Sequence, residues 1–227
     1  MAEYRHELKY YITYNDYMML KQRMSAVMNR DKNTNENGEY FIRSLYFDDI
    51  DDFAFREKLD GVDERDKFRL RTYNYSQDVA KLERKHKQNG YILKDSITLS
   101  RNECDMFLNG QYNFLLERNE KFSKELFRIF TQRIFKPRVI VDYMREPYVF
   151  PLGDVRVTFD KDIRTAYRST DIFDSKIPTY PVITEGAVVL EVKFNDILPS
   201  FIHSVLQIDS PLRSAVSKYC ICRKFEL

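Results

Sequence analysis

Apolar and charged residues alternate one by one along several stretches of the chain, and a period of two marks strands with two unlike faces. In residues 3–13, Arg5, Glu7, Lys9 and Tyr11 share one face, opposite His6, Leu8, Tyr10 and Ile12. In 40–47, Phe41, Arg43, Leu45 and Phe47 alternate with Ile42, Ser44 and Tyr46. The stretch 68–94 predicts a hairpin, with Arg69, Arg71 and Tyr73 on one face of its first strand and Lys81, Glu83, Lys85 and Lys87 on one face of its second. A short strand at 91–95 follows Gly90. Later strands at 138–145, 154–160 and 187–194 align Val139, Val141, Tyr143 and Arg145, then Asp154, Arg156, Thr158 and Asp160, then Val189, Glu191 and Lys193.

Helical spacing fills the gaps. Asn15 and Asp16 are expected to cap a helix running to about Asn29, and Met19, Leu20, Met24, Val27 and Met28 form its apolar stripe. Asp48, Asp49, Asp51 and Asp52 open a short helix to about Lys58; acids there suit the helix dipole, which favours a structural role over a metal site. Ser100 and Glu103 make a capping-box signature for a helix to Leu108. A longer helix is expected over 117–135, and 163–182 is expected to be irregular. Two helices close the chain, the second starting at Ser210-Pro211 and carrying Lys218 near its end. No linker, repeat or low-complexity segment interrupts residues 1–227, so one domain is expected.

Composition narrows the reading. The 227 residues carry 37 Lys and Arg against 35 Asp and Glu. So near a balance argues against a nucleic-acid binder, although the 16 Tyr and 17 Phe could in principle stack on bases. The interest lies in local segregation of charge. Cys104, Cys220 and Cys222 have no zinc spacing and suggest reduced thiols in a cytoplasmic setting. No apolar run reaches the ~18 residues of a membrane span and no signal core opens the chain, so a link to a membrane is expected only through a separate membrane protein partner.

The strand faces carry mainly Arg, Lys and Glu, and like charges directly opposed across strands repel. Two readings stay open from these residues alone. The charged faces are wet in an ordinary half-exposed sheet. Alternatively, amphipathic helices cover the apolar faces and the sheet curls on its charged side into a barrel, whose lumen is costly unless solvated or occupied by a polyanion with a metal ion.

The ordered set Glu7-Leu-Lys9, Ser44-Leu-Tyr46-Phe47-Asp48, Arg69-Leu-Arg71, Glu83-Arg-Lys85, Asp142-Tyr143-Met-Arg145, Arg156 to Asp160, Leu190-Glu191-Val-Lys193 and Ser217-Lys218-Tyr219 resembles the VTC domain. This is the polyphosphate polymerase domain of the vacuolar transporter chaperone family, one of the triphosphate tunnel metalloenzymes. The resemblance spans nearly the whole chain. It implies an α+β fold, an antiparallel β-barrel tunnel with helices packed on the outside. It also implies an ATP-dependent polyphosphate polymerase, which transfers the ATP γ-phosphoryl group to a polyphosphate chain with Mn²⁺ or Mg²⁺ as cofactor. On this resemblance Lys9, Arg69, Arg71, Lys85, Arg145 and Arg156 are phosphate ligands, with Lys87, Lys193 and Lys218 as further basic residues of the wall or mouth. Glu191 is the metal ligand, helped by Glu7 and Glu83, and the catalytic set is Lys9, Arg69, Arg71, Lys85, Arg145 and Glu191. Two departures stand out. Fungal polymerases of the family tend to read Glu-x-Lys-x-His where this chain has Glu83-x-Lys85-x-Lys87, and a lysine shuttles protons less readily near neutral pH. The related CYTH branch begins Glu-x-Glu-x-Lys, whereas Arg5-x-Glu7-x-Lys9 lacks the first acid, which counts against a cyclase or hydrolase. Alternatives on the same scaffold are a tripolyphosphate or nucleoside-triphosphate hydrolase, and a non-catalytic polyphosphate or nucleotide sensor.

Overall fold

Alternation over so many stretches resolves into a single antiparallel sheet. The computed structural model describes residues 5–208, 212–213 and 216–227. Its strands are β1 (His6–Ile12), β2 (Asn29–Arg30), β3 (Tyr40–Asp48), β4 (Arg65–Tyr73), β5 (Val79–Gln88), β6 (Tyr91–Ser100), β7 (Lys136–Phe150), β8 (Val155–Thr165), β9 (Tyr180–Pro181), β10 (Val188–Phe194) and β11 (Leu212–Arg213). The order across the sheet is β11-β1-β10-β8-β7-β3-β4-β5-β6, with β2 on β7 and β9 on β8. The sheet curls until its ends meet: Arg5, just before β1, and Ile92 in β6 exchange both backbone hydrogen bonds at 3.2 Å. Curling is helped by register shifts at Tyr46/Phe47 and at Asp142/Met144, since a bulge adds local twist.

Helices cover the convex side. They are α1 (Tyr14–Val27), α2 (Phe53–Leu59), α3 (Arg101–Leu108), α4 (Phe114–Glu117), α5 (Lys121–Arg133), α6 (Ser200–Val205) and α7 (Lys218–Glu226). The outward faces of β3 to β6 bury Leu45, Phe47, Phe68, Leu70, Leu82 and Leu99 against Phe107 of α3, Leu115 of α4 and Leu126 and Phe130 of α5. The outward faces of β1, β8 and β10 bury Ile12, Val157, Phe159 and Leu190 against Leu20 and Met24 of α1 and Ile202 of α6. Each such side chain is worth about 1.5–3 kcal/mol by transfer from water, so these two cores fix which face of the sheet points inward.

Helix α7 lies elsewhere. Its Tyr219, Cys220 and Cys222 pack with Ile42, Tyr46, Val139, Val141 and Tyr143, on the concave faces of β3 and β7. One part of the lumen is therefore apolar and filled, in keeping with Val139, Val141 and Tyr143 sharing a strand face with Arg145.

Several elements differ from their sequence expectation. Thr13, not Asn15 or Asp16, caps α1: its hydroxyl accepts from the Asp16 N–H at 3.1 Å while the Asp16 carboxylate returns to the Thr13 N–H at 3.1 Å. The helix expected over 117–135 is shorter, α5, because Arg118 is extended and its guanidinium ties Glu103 to Glu120, while Glu117 closes the separate short α4. The strands expected at 91–95 and 138–145 are longer, and β8 with β9 orders both ends of the stretch 163–182. Lys218 opens the last helix instead of lying near its end. The expected start at Ser210-Pro211 lies outside the described residues. The capping box at Ser100 and Glu103 is present. The acidic run also works structurally: the Asp48 carboxylate accepts from the N–H groups of Ala54 and Phe55 at 2.9 and 3.0 Å.

Candidate functional site

Residues opposed in register share a face, so pairings can be followed around the barrel. Glu7 faces Lys193, which faces Arg156. Lys9 faces Glu191, then Thr158. Tyr40 faces Arg145, then Asp160. Ser44 faces Arg71, then Lys81; Tyr46 faces Arg69, then Glu83; Lys67 faces Lys85, then Lys94. The lumen wall is thus built from alternate residues of every long strand.

Within that wall, cations outnumber acids and surround each of them. Glu7 pairs with Lys9 at 2.5 Å and Lys85 at 2.6 Å. Glu191 pairs with Lys193, with Lys9 at 3.4 Å and with Arg145 at 3.9 Å. Asp160 takes Arg145 at 2.7 Å and Lys218 at 2.5 Å. Glu83 takes Arg69 at 2.7 Å, Lys94 at 2.6 Å and Arg71 at 3.8 Å. Hydroxyls orient the arginines. Arg71 donates to Ser44 and Tyr143, and Arg69 donates to Tyr46, each at 3.0 Å. Lys218 and Arg145 both lie over the Tyr143 ring.

These contacts set the protonation states. Burial and Glu191 oppose ionisation of Glu7, yet Lys85, Lys9 and Lys193 pull its carboxyl down to about 2. Burial also opposes ionisation of Glu191 and Glu83, but the Lys and Arg groups around them hold both well below the ordinary carboxylate range. Burial disfavours the charged form of Lys85 and, with Lys9 nearby, pushes its ammonium well down, against the pull of Glu7. Lys9 goes the other way, because Glu7 and Glu191 outweigh its burial. The acids are therefore charged, and the wall is a fixed positive field with negative counter-ions set into it.

Of the residues singled out from sequence, the structure gathers Lys9, Arg69, Arg71, Lys85, Arg145, Lys193, Lys218, Glu7, Glu83 and Glu191 through these lumen contacts. Arg156 belongs to the same wall but is engaged by Asp31 at 2.8 Å and by the Tyr40 hydroxyl at 3.0 Å. Lys87 is not brought into the cluster; it pairs with exposed Asp63 at 2.9 Å. Glu7 and Glu191 share Lys9 as a partner, whereas Glu83 shares no ion-pair partner with either. Among the described residues no group of three His, Cys, Asp or Glu side chains is placed to hold a metal ion. His6 stacks on Phe194, and His86 pairs with Asp66, both outside the lumen cluster.

Sequence reasoning passed over Lys67, Lys94, Tyr46, Tyr143 and Asp160 as site residues. Lys67 shares the parity of Arg69 and Arg71, a usable signal. Lys94 became visible only with the register of β6. The tyrosines carry no charge and look like core.

The sequence model of the VTC domain matches residues 4–226. No curated relative matches in sequence. Among solved structures, a protein from Bacillus halodurans described as a candidate adenylate cyclase is similar with a TM-score of 0.50 and 14% identity, over 90% of this chain and 86% of its own. The PH1819 protein of Pyrococcus horikoshii gives a TM-score of 0.41 at 15% identity, covering 89% of this chain and 84% of its own. At such identity the first likeness speaks to the fold alone, a curled antiparallel sheet with helices packed around it. No described helix is long and apolar enough to cross a membrane.

Proposed function

This chain belongs to the VTC domain family, and on that premise we propose that it is an ATP-dependent polyphosphate polymerase, moving the ATP γ-phosphoryl group onto the end of a polyphosphate chain. The observation that carries the reading is the lumen wall, where Arg69, Arg71, Arg145, Lys9 and Lys193 converge from four strands around buried acids. Phosphoryl transfer needs in-line positioning and neutralisation of charge more than a covalent nucleophile, and such a wall supplies both. Arginines held by Ser44, Tyr46 and Tyr143 present fixed donors for phosphate oxygens.

The acids fit a Mn²⁺ or Mg²⁺ ion shared with substrate. Glu7 and Glu191 are buried, ionised oxygen donors on either side of Lys9, and the Oε1 of Glu191 is met closely by the Lys193 ammonium, which a bound ion would have to displace. Two carboxylates completed by phosphate oxygens and water suit Mg²⁺ better than an all-protein cage. Such an ion would supply neutralisation of the charge on the β- and γ-phosphoryl oxygens. Lys9 then has a role of its own, holding the two carboxylates at a fixed spacing.

The test is incubation of the purified protein with ATP and Mn²⁺ or Mg²⁺, followed by exopolyphosphatase digestion. A digestible polymer is expected. Free phosphate without polymer selects a hydrolase, and ATP binding without turnover selects a sensor; either result overturns the proposal. Glu191→Gln should abolish turnover with anion affinity largely kept, while Arg69→Ala weakens both.

A further inference from the structure

Arg156 differs from the other lumen arginines in its counter-ion, which comes from a loop and not from the barrel wall. Asp31 follows β2, in the loop that leads into β3, and its side chain is 8% exposed. Its backbone N–H donates to Pro147 O at 3.3 Å, fixing the loop on β7. One carboxylate oxygen accepts from the Asn33 N–H and side-chain amide at 2.9 and 2.7 Å, and the other meets Arg156 at 2.8 Å.

We propose that Asp31 is a competitor for the polyphosphate chain at Arg156, and so sets how strongly the lumen holds long chains relative to short ones. The inference rests on the reading of the lumen as a phosphate-chain tunnel. Arg156 lies directly opposite Lys193, which lies opposite Glu7, so its guanidinium continues the cationic track of the wall. Asp31 is not needed to aim it, because the Tyr40 hydroxyl accepts from the same Nη2 at 3.0 Å. The Nε of Arg156 is buried with no hydrogen-bond partner, so the group has donor capacity that Asp31 does not use. A carboxylate at this contact lowers the local positive potential. Arg156 lies four residues along β8 from Asp160, the partner of Arg145, or about 13 Å of strand, so a chain that spans this stretch meets that opposition more fully than a short one gripped at Arg69, Arg71 and Arg145.

The experiment compares wild type, Asp31→Asn, Arg156→Met and the double variant by calorimetric titration with tripolyphosphate and with medium-chain inorganic polyphosphate, without nucleotide. Removing one charge at this spacing in a half-solvated wall predicts about tenfold tighter binding of the longer chain. Tripolyphosphate affinity should change less than about twofold, and the salt dependence for the longer chain should steepen by roughly one ion. In the Arg156→Met background, Asp31→Asn should change nothing, since the coupling passes through that one arginine. Equal tightening for both ligands, weaker binding of the long chain, or an undiminished effect without Arg156 overturns the inference. If wild type binds neither ligand, the tunnel reading fails and the inference with it. If wild type binds both and Asp31→Asn binds the long chain no more tightly, the inference alone fails.

Discussion

Glu83→Gln is the sharpest probe of the lumen, because it removes one charge and almost no volume. Glu83 is fully buried and meets Arg69 at 2.7 Å, Lys94 at 2.6 Å and Arg71 at 3.8 Å. An ion pair near 4 Å is worth about 4 kcal/mol at an effective dielectric constant near 20. Losing Glu83 forfeits more than one such term, but it also ends the cost of burying the carboxylate itself. Breaking a buried pair from one side leaves a net cost of about 3–5 kcal/mol. Lys94 is the most open of the three cations, its side chain 47% exposed, so its loss of a partner is partly compensated by water, which favours the lower end. At roughly 2–4 °C per kcal/mol for a domain of this size, the apparent Tm should fall by about 6–12 °C. Tripolyphosphate should restore much of that loss, giving a larger ligand-induced Tm shift in the variant than in wild type. Burial already pushes Lys94 down, against the pull of Glu83, so without Glu83 it falls further. The penalty from its charge is full below that lowered value and is relieved above it, so the deficit of the variant should narrow as pH rises. Thermal unfolding followed by circular dichroism, with and without tripolyphosphate at fixed salt, reads all three effects. A variant as stable as wild type, or a ligand shift no larger than the wild-type shift, would refute the view that Glu83 is the counter-ion of a cationic wall.

Two further outcomes follow from contacts at either side of α7. Asp48 accepts from the N–H groups of Asp49, Ala54 and Phe55 and from the Tyr219 hydroxyl. Asp48→Asn should therefore cost about 2–4 kcal/mol in urea unfolding with the metal requirement unchanged; a weaker metal response at intact stability would instead make the acidic run a metal site. Burial pushes Lys67 down to about 8, with Cys220 opposing and Lys9, Arg65 and Lys58 assisting. The neutral amine is thus favoured above that value, and a bound polyanion would recharge it. Calorimetry at pH 8.5 in buffers of different ionisation enthalpy should show proton uptake with tripolyphosphate, lost in Lys67→Met; equal uptake in the variant assigns the proton to another group.

Strand parity carried most of the site into view. Arg69 and Arg71, Glu83 and Lys85, and Glu191 and Lys193 each lie two apart on strands that alternate, and for β4 and β10 the other face is mainly apolar, so the sequence alone assigns each pair to one surface. What parity cannot give is which strand lies beside which. The meeting of β1 with β6, which sets Glu7 against Lys85 across 78 residues, depends on closure of the barrel. The position of α7 was equally hidden. The closing helix is legible from its start signal alone, and such a signal does not say whether the helix faces the outside of a barrel or its lumen. Lys87 shows the opposite failure: parity places it with Lys85, yet it lies far enough along β5 to pair with Asp63 instead of joining the cluster. Asp31 was invisible because a loop acid has no periodicity to read.

The placement of the acids follows from one electrostatic requirement. A wall of cations facing one another would unfold the barrel unless countered, and the counter-charge must be strong enough to hold the fold yet weak enough for phosphate to displace or share. Acids on the strands themselves meet the first demand, because Glu7, Glu83, Asp160 and Glu191 sit within the same sheet as the cations they balance, Lys218 of α7 apart, and cannot leave it. Their ion pairs are shared among two or more cations each, so no single Arg or Lys is fully neutralised, and each keeps donors for a ligand. Asp31 meets a different demand, since a carboxylate on a loop can be altered without disturbing strand pairing. If this division is right, charge-removing variants of the strand acids outside the proposed metal pair, Glu83 and Asp160, should lower stability and raise anion affinity together. Asp31→Asn should raise affinity at little cost in stability. A plot of Tm against tripolyphosphate affinity for Glu83→Gln, and against long-chain affinity for Asp31→Asn, separates the two classes; a single common line for both would mean that the loop acid is merely another structural counter-ion.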